Sequence, residues 1–139
     1  MNNREKRFFN IAKEVSKMSS FNGPHIGAVV VYGKTVISTG FNSKKTRPLQ
    51  YYYNIHRGFN DYQNSISMEH AEIAALSHLI GKEIRWNEVS LYIYRELKDG
   101  RLACCKPCKA CSRLIKDLGI KNIYYIDEFS NYCKERVLK

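Results

Sequence analysis

At 139 residues the chain has room for one well-buried core and is short for two. Its composition is ordinary for a globular protein. No stretch is apolar enough to cross a membrane, and the start MNNREKRFFN lacks an apolar signal core, so a single cytoplasmic domain over residues 1–139 is expected. Lys and Arg total 23 against 13 Asp and Glu, a net charge of +10 that favours a phosphate-bearing partner. No acidic residue lies between Glu14 and Asp61, and Lys98, Arg101, Lys106, Lys109, Arg113, Lys116 and Lys121 crowd the cysteine-rich segment. Charge kept for solubility is the plainer account, and charge does not separate a mononucleotide from a polymer.

Phe8, Ile11, Ala12, Val15 and Met18 recur at helical spacing and predict an amphipathic helix over roughly residues 3–18, broken at Asn22-Gly23-Pro24. Ala28–Tyr32 and Thr35–Thr39 read as strands joined by a tight turn at Gly33-Lys34. A polar, aromatic segment follows from Asn42 to Ile66, too long for a plain connection. Glu69–Ile80 reads as a helix, with Ser67 as its N-cap and Gly81 as its stop. Val89–Tyr94, apolar on both faces, suits a central strand. Cys108–Leu118 is the next helix, ended by Gly119; Ile123–Ile126 is a strand and Phe129–Val137 a final helix. The strand–helix–strand unit over 89–126 should make its two strands parallel. The expected architecture is α/β: three layers, with helices on both faces of one mixed sheet and no clear fifth strand.

Two short elements carry the chemistry: His70-Ala71-Glu72 and Pro107-Cys108-Lys109-Ala110-Cys111. The five cysteines, four of them between Cys104 and Cys111, make a poor disulfide framework and a plausible metal knuckle. One imidazole and two thiolates, His70, Cys108 and Cys111, suit a single zinc ion and leave a fourth position open, as catalytic zinc sites do. Glu72 is placed to move protons without binding metal. Each element opens a predicted helix, and Pro107 suits the first helical position, where a missing N–H costs nothing. The helix dipoles would favour the thiolates. Taken singly, a His-x-Glu pair is surface decoration, and a Cys-x-x-Cys pair is redox-active or half of a structural site. A four-cysteine site from Cys104, Cys105, Cys108 and Cys111 would have to draw every ligand from one short segment. His25 and His78 are assigned to structure.

The combination of His-x-Glu with a later Pro-Cys-x-x-Cys resembles the cytidine deaminase-like superfamily, above all its CMP/dCMP-type branch. The resemblance spans roughly residues 24–127 and includes Gly40-Phe41-Asn42 and the run Pro107–Ile120. It implies that Asn42 contacts the sugar and that the backbone of Ala71 holds the base. His70-Ala71-Glu72-Ile73 also resembles tRNA adenosine deaminases, which leaves the base open. The family's Thr or Ser shortly before the Pro is replaced here by Ala103-Cys104-Cys105-Lys106. In the segment 43–66, Tyr51, Tyr52, Tyr53, His56, Phe59 and Tyr62 alternate with Lys44, Lys45, Arg47 and Arg57, a mixture that can stack bases and hold phosphates or serve as a subunit contact. It has no Cys and one His, so a second zinc is not expected.

The leading expectation is hydrolytic deamination of a cytosine-bearing nucleotide, dCMP or CMP, by a zinc enzyme that forms a homo-oligomer and touches no membrane. The alternatives are deamination of cytosine or adenine within single-stranded DNA or RNA, and a zinc-stabilised nucleic-acid-binding module without activity. Glu72 argues against the last, since a structural zinc has no use for it.

Overall fold

A computed structural model describes residues 1–19, 23–44, 48–53 and 69–137 of the chain. In order these form α1 (Asn3–Ser16), β1 (His25–Tyr32), β2 (Thr35–Phe41), α2 (Pro48–Tyr53), α3 (Ala71–Ser77), β3 (Val89–Glu96), α4 (Lys109–Leu118), β4 (Asn122–Ile126) and β5 (Tyr132–Arg136). One sheet runs in the order β2-β1-β3-β4-β5. Only β3 and β4 are parallel; the other neighbours are antiparallel, so the sheet is mixed as expected.

Side chains alternate along each strand, and two glycines show which helix covers which face. A Cβ on Gly27 of β1 would fall on the Ala12 carbonyl oxygen and within 2.6 Å of the Ser16 nitrogen, both on α1. A Cβ on Gly40 of β2 would meet the Ala75 nitrogen and lie 2.7 Å from the Ala71 carbonyl oxygen, both on α3. Gly40 is the register partner of Ala28, the neighbour of Gly27, so α1 and α3 lie against opposite faces. On the α1 face, Tyr92 and Tyr124 stack at 4.1 Å, and Phe8 and Phe9 each pack 5.2 Å from Tyr92. On the other face Ala28, Val30, Leu91 and Ile93 are buried along with Ile73 and Leu76 of α3. Cores of this kind repay burial at roughly 25 cal/mol per Å² of apolar surface.

The end of the chain departs from the sequence expectation. Phe129–Val137 is not a helix; Tyr132–Arg136 is an edge strand antiparallel to β4 that completes a five-stranded sheet. The turn before it is held by Asp127, whose Oδ1 accepts from the Phe129 and Asn131 N–H groups, with Ser130 at a φ of 64°. Tyr132 then packs 4.6 Å from Phe9, while Glu135, on the opposite face, accepts from the Tyr125 hydroxyl. Alternation, not helical spacing, is what these side chains obey.

The predicted helix Glu69–Ile80 is shorter at both ends, Ala71–Ser77. Glu69 forms an antiparallel bridge to Ser43 instead. The proposed N-cap Ser67 and most of the aromatic–cationic segment lie outside the described residues; within that segment α2 is present. No helix among the described residues is long and apolar enough to cross a membrane.

Candidate metal centre

The helix α3 begins at His70 and α4 at Cys108, each in extended backbone as the N-cap. Neither side chain caps its own helix, unlike the Ser, Thr, Asp or Asn usual there. Both are turned toward each other. His70 Nδ1 lies 3.3 Å from the Cys111 Sγ and 3.5 Å from the Cys108 Sγ. Pro107 stands one residue before the N-cap, not at the first helical position as expected. The α4 start is otherwise self-sufficient. Ser112 N–H donates to the Cys108 carbonyl at 2.8 Å, and the helix closes at Gly119, whose φ of 92° admits the bonds to the Ile115 and Lys116 carbonyls.

The three donor atoms lie within 4.8 Å of one another, the one such triad among the described residues. Zinc bound tetrahedrally, with Zn–S about 2.3 Å and Zn–N about 2.0–2.1 Å, sets N···S at about 3.6 Å. The observed 3.3 and 3.5 Å fit that closely, and two thiols with an imidazole are zinc's preferred chemistry. The hydrogen bond from Cys111 holds Cys108 down at about 3, and donating it, together with burial, pushes Cys111 well up. A divalent cation displaces such a proton.

Glu72 lies in the first turn of α3 and is only 5 % exposed. Burial pushes its carboxyl above the usual carboxylate range, and the nearby His70 opposes the shift without cancelling it. It lines a cleft of about 280 Å³ together with His70, Cys108, Asn42, Arg95 and Lys106. The cleft opens at the carboxyl end of β3, where ligands of open α/β sheets gather. Ala71 is fully buried and does not line it.

Asn42 does line the cleft, but its side chain is already engaged. Its Oδ1 accepts from the Ile26 N–H at 2.9 Å and its Nδ2 donates to the Pro24 carbonyl at 2.6 Å. It clips the start of β1 to the end of β2, leaving one amide hydrogen for a ligand. Cys104 and Cys105 are not metal donors. Cys105 is wedged between β3 and β4, donating to the Ile93 carbonyl and accepting from the Ile126 N–H, both at 3.3 Å, and burial pushes its thiol up to about 12.

Sequence reasoning missed two residues. Gln50 of α2 is fully buried and its Oε1 accepts the His70 N–H at 2.9 Å, which orients the ligand's backbone. It sits in a segment read as a loop, and nothing in its neighbourhood marks it. Arg95 lies just past the predicted strand Val89–Tyr94; it faces the cleft because Leu91, Ile93 and Arg95 alternate onto the α3 side.

The model of the cytidine and deoxycytidylate deaminase zinc-binding region matches residues 2–127. The chain belongs to that family: a zinc-binding protein of the deaminase type, with His70, Cys108 and Cys111 positioned to hold the ion. Solved structures agree in fold. The cytidine deaminase of Burkholderia pseudomallei is 15% identical, with a TM-score of 0.65 over 99% of this chain and 94% of that one. The dCMP deaminase of cyanophage S-TIM5 is 22% identical in apo form, with a TM-score of 0.63 over 92% of this chain and 86% of that one. The same phage enzyme in complex with dCMP and dUMP is 21% identical, with a TM-score of 0.63 over 92% and 85%. No curated protein matches the chain by sequence.

Proposed function

We infer that the chain catalyses hydrolytic deamination of a cytosine-bearing mononucleotide, dCMP or CMP, giving the uracil nucleotide and ammonia. The observation that carries this reading is a buried carboxyl, Glu72, in the same cleft as a three-donor metal site. A purely structural zinc takes four protein ligands and needs no such neighbour. When bound, zinc would supply a Lewis acid that lowers the pKa of a water molecule to near neutrality.

The chain's own residues would do the rest. Glu72 accepts a proton from the attacking water and passes it to the ring nitrogen N3. The oxygen adds at C4; Glu72 then takes the remaining proton of the C4 hydroxyl and delivers it to the amine as the C4–N4 bond breaks, leaving the C4 carbonyl and ammonia. A carboxyl whose pKa is raised by burial suits both directions of transfer. His70, held by Gln50, and the Cys108–Cys111 pair fix the ion. The remaining amide hydrogen of Asn42 is the proposed contact to the sugar; the buried backbone of Ala71 does not reach the cleft as it stands. The relatives named as dCMP and cytidine deaminases support the choice of base.

The test is direct. Zinc-loaded protein is incubated with dCMP, CMP, cytidine and single-stranded oligonucleotides, and both ammonia and base conversion are assayed. Turnover of a mononucleotide is expected to be fastest. Turnover confined to oligonucleotides, with a steep loss of affinity in salt, would move the substrate to a polymer.

A further inference from the structure

Arg95 is the feature of the cleft that the chemistry above does not use. It sits near the end of β3, register-paired with Ile26, on the face that carries the metal donors. Its Nη1 donates to the Cys104 carbonyl at 3.1 Å, which fixes the guanidinium. That carbonyl is brought there by a tight fold-back after β3: Leu97 N–H donates to Arg101, Ala103 N–H donates to Arg95, and Gly100 turns at a φ of 88°. Arg95 Nε is nevertheless shut away from solvent with no hydrogen-bond acceptor, the one such side-chain atom among the described residues. No carboxylate of the described residues pairs with it, Glu72 included. Leaving a charged donor buried and unmet is costly, and a small shift of the Arg95 side chain into the cleft it lines would give it an anionic partner.

Lys106 lines the same cleft. Its nearest carboxylate, Glu135, is 3.9 Å away, and that carboxylate already accepts from the Tyr125 hydroxyl. The cleft thus offers two cations against one carboxylate, and Glu72 is taken up by proton transfer. A neutral cytosine ring needs no pair of cations; a phosphate does, and a planar guanidinium matches its oxygens.

We propose that Arg95, assisted by Lys106, grips the phosphate on the 5′ side of the substrate and makes the site selective for nucleotides over nucleosides. This rests on the reading of the cleft as the nucleotide site, and it is independent of whether turnover follows. The phosphate belongs either to a mononucleotide or to a strand.

Equilibrium binding of dUMP, deoxyuridine and a short uracil-containing single-stranded oligonucleotide to the zinc-loaded protein separates these cases. The wild type is expected to bind dUMP roughly 10- to 100-fold more tightly than deoxyuridine, the range a charged hydrogen bond supplies. Arg95→Gln should erase most of that ratio with deoxyuridine affinity unchanged, Arg95→Lys should restore part of it, and Lys106→Gln should reduce it less. If the oligonucleotide shows the larger Arg95-dependent gain, the phosphate is that of a strand. A wild type that binds dUMP no better than deoxyuridine overturns the proposal, even if Arg95→Gln fails to fold. So does an Arg95→Gln protein that keeps the ratio, or one that weakens both ligands equally. An Arg95-dependent ratio without deamination of any cytosine substrate would leave Arg95 in place and remove the deaminase reading.

Discussion

The two helix starts that meet at the metal site are built in different ways. The α4 start is local: Cys108 and Cys111 are three residues apart, and its backbone bonds close within Pro107–Ser112. The helix is amphipathic, burying Ala110, Cys111, Leu114 and Ile115 and turning Lys109, Arg113 and Lys116 outward. The α3 start is assembled from distant parts. Its residues Ala71–Leu76 are all buried, Gln50 accepts the His70 N–H, and Glu69 bridges to Ser43 at the end of β2. The cysteine half therefore stands on its own sequence, and the histidine half on its tertiary neighbours.

That contrast can be broken first at the cysteines. Cys108→Ala should abolish zinc binding almost completely by metal analysis, whereas Cys104→Ala and Cys105→Ala should retain the ion. Equal loss in either of the latter would reassign the ligands.

Next in size is Glu72→Gln, which keeps the shape and removes the proton carrier. Turnover should fall by about 10²–10⁴-fold with zinc content unchanged. Stability carries a second signature. The folded-state pKa of Glu72 is raised above its ordinary value of 4.5, so the metal-free wild type loses stability as pH rises from that value through the raised one. Metal-free Glu72→Gln has no such loss, and its melting temperature relative to wild type should climb over the same pH window. Parallel melting curves would show that burial exerts no penalty on the carboxylate.

Asn42→Ala removes the clip between β1 and β2. Two backbone groups lose their partners, so a destabilisation of about 2–4 kcal/mol in denaturant unfolding is expected. A raised KM in the folded fraction would add the sugar contact; an unchanged KM would restrict Asn42 to the fold.

The smallest effect sharpens the comparison most. Gln50→Leu should weaken zinc binding by about 10- to 100-fold, as loss of a partner that orients a metal ligand does. Ser112→Ala, beside the cysteine half, should leave zinc affinity nearly untouched, because its hydroxyl bonds only the Pro107 carbonyl at 3.3 Å. Equal losses from both substitutions would mean the two starts share one support.

The chain's own order of residues was enough for the local features. Helical spacing placed α1 and α4, Gly33 and Gly119 marked a turn and a helix end, and the His70, Cys108 and Cys111 triad was legible because the two cysteines are close in sequence and the ligand chemistry is restrictive. Periodicity failed at Phe129–Val137, where Phe129, Tyr132, Cys133 and Val137 mimic a helical stripe. An element as short as Tyr132–Arg136 fits both periods, and the backbone partners offered by β4 settled the choice in favour of a strand. The same logic explains Gln50, Arg95 and the second role of Asn42. Their neighbours lie 20, 9 and 16 or more residues away, so their hydrogen bonds exist only once the sheet has formed. Donor chemistry and local geometry are written residue by residue; which polar group completes which ligand, and which cation faces the cleft, depends on strand register, and register is a property of the whole packed sheet.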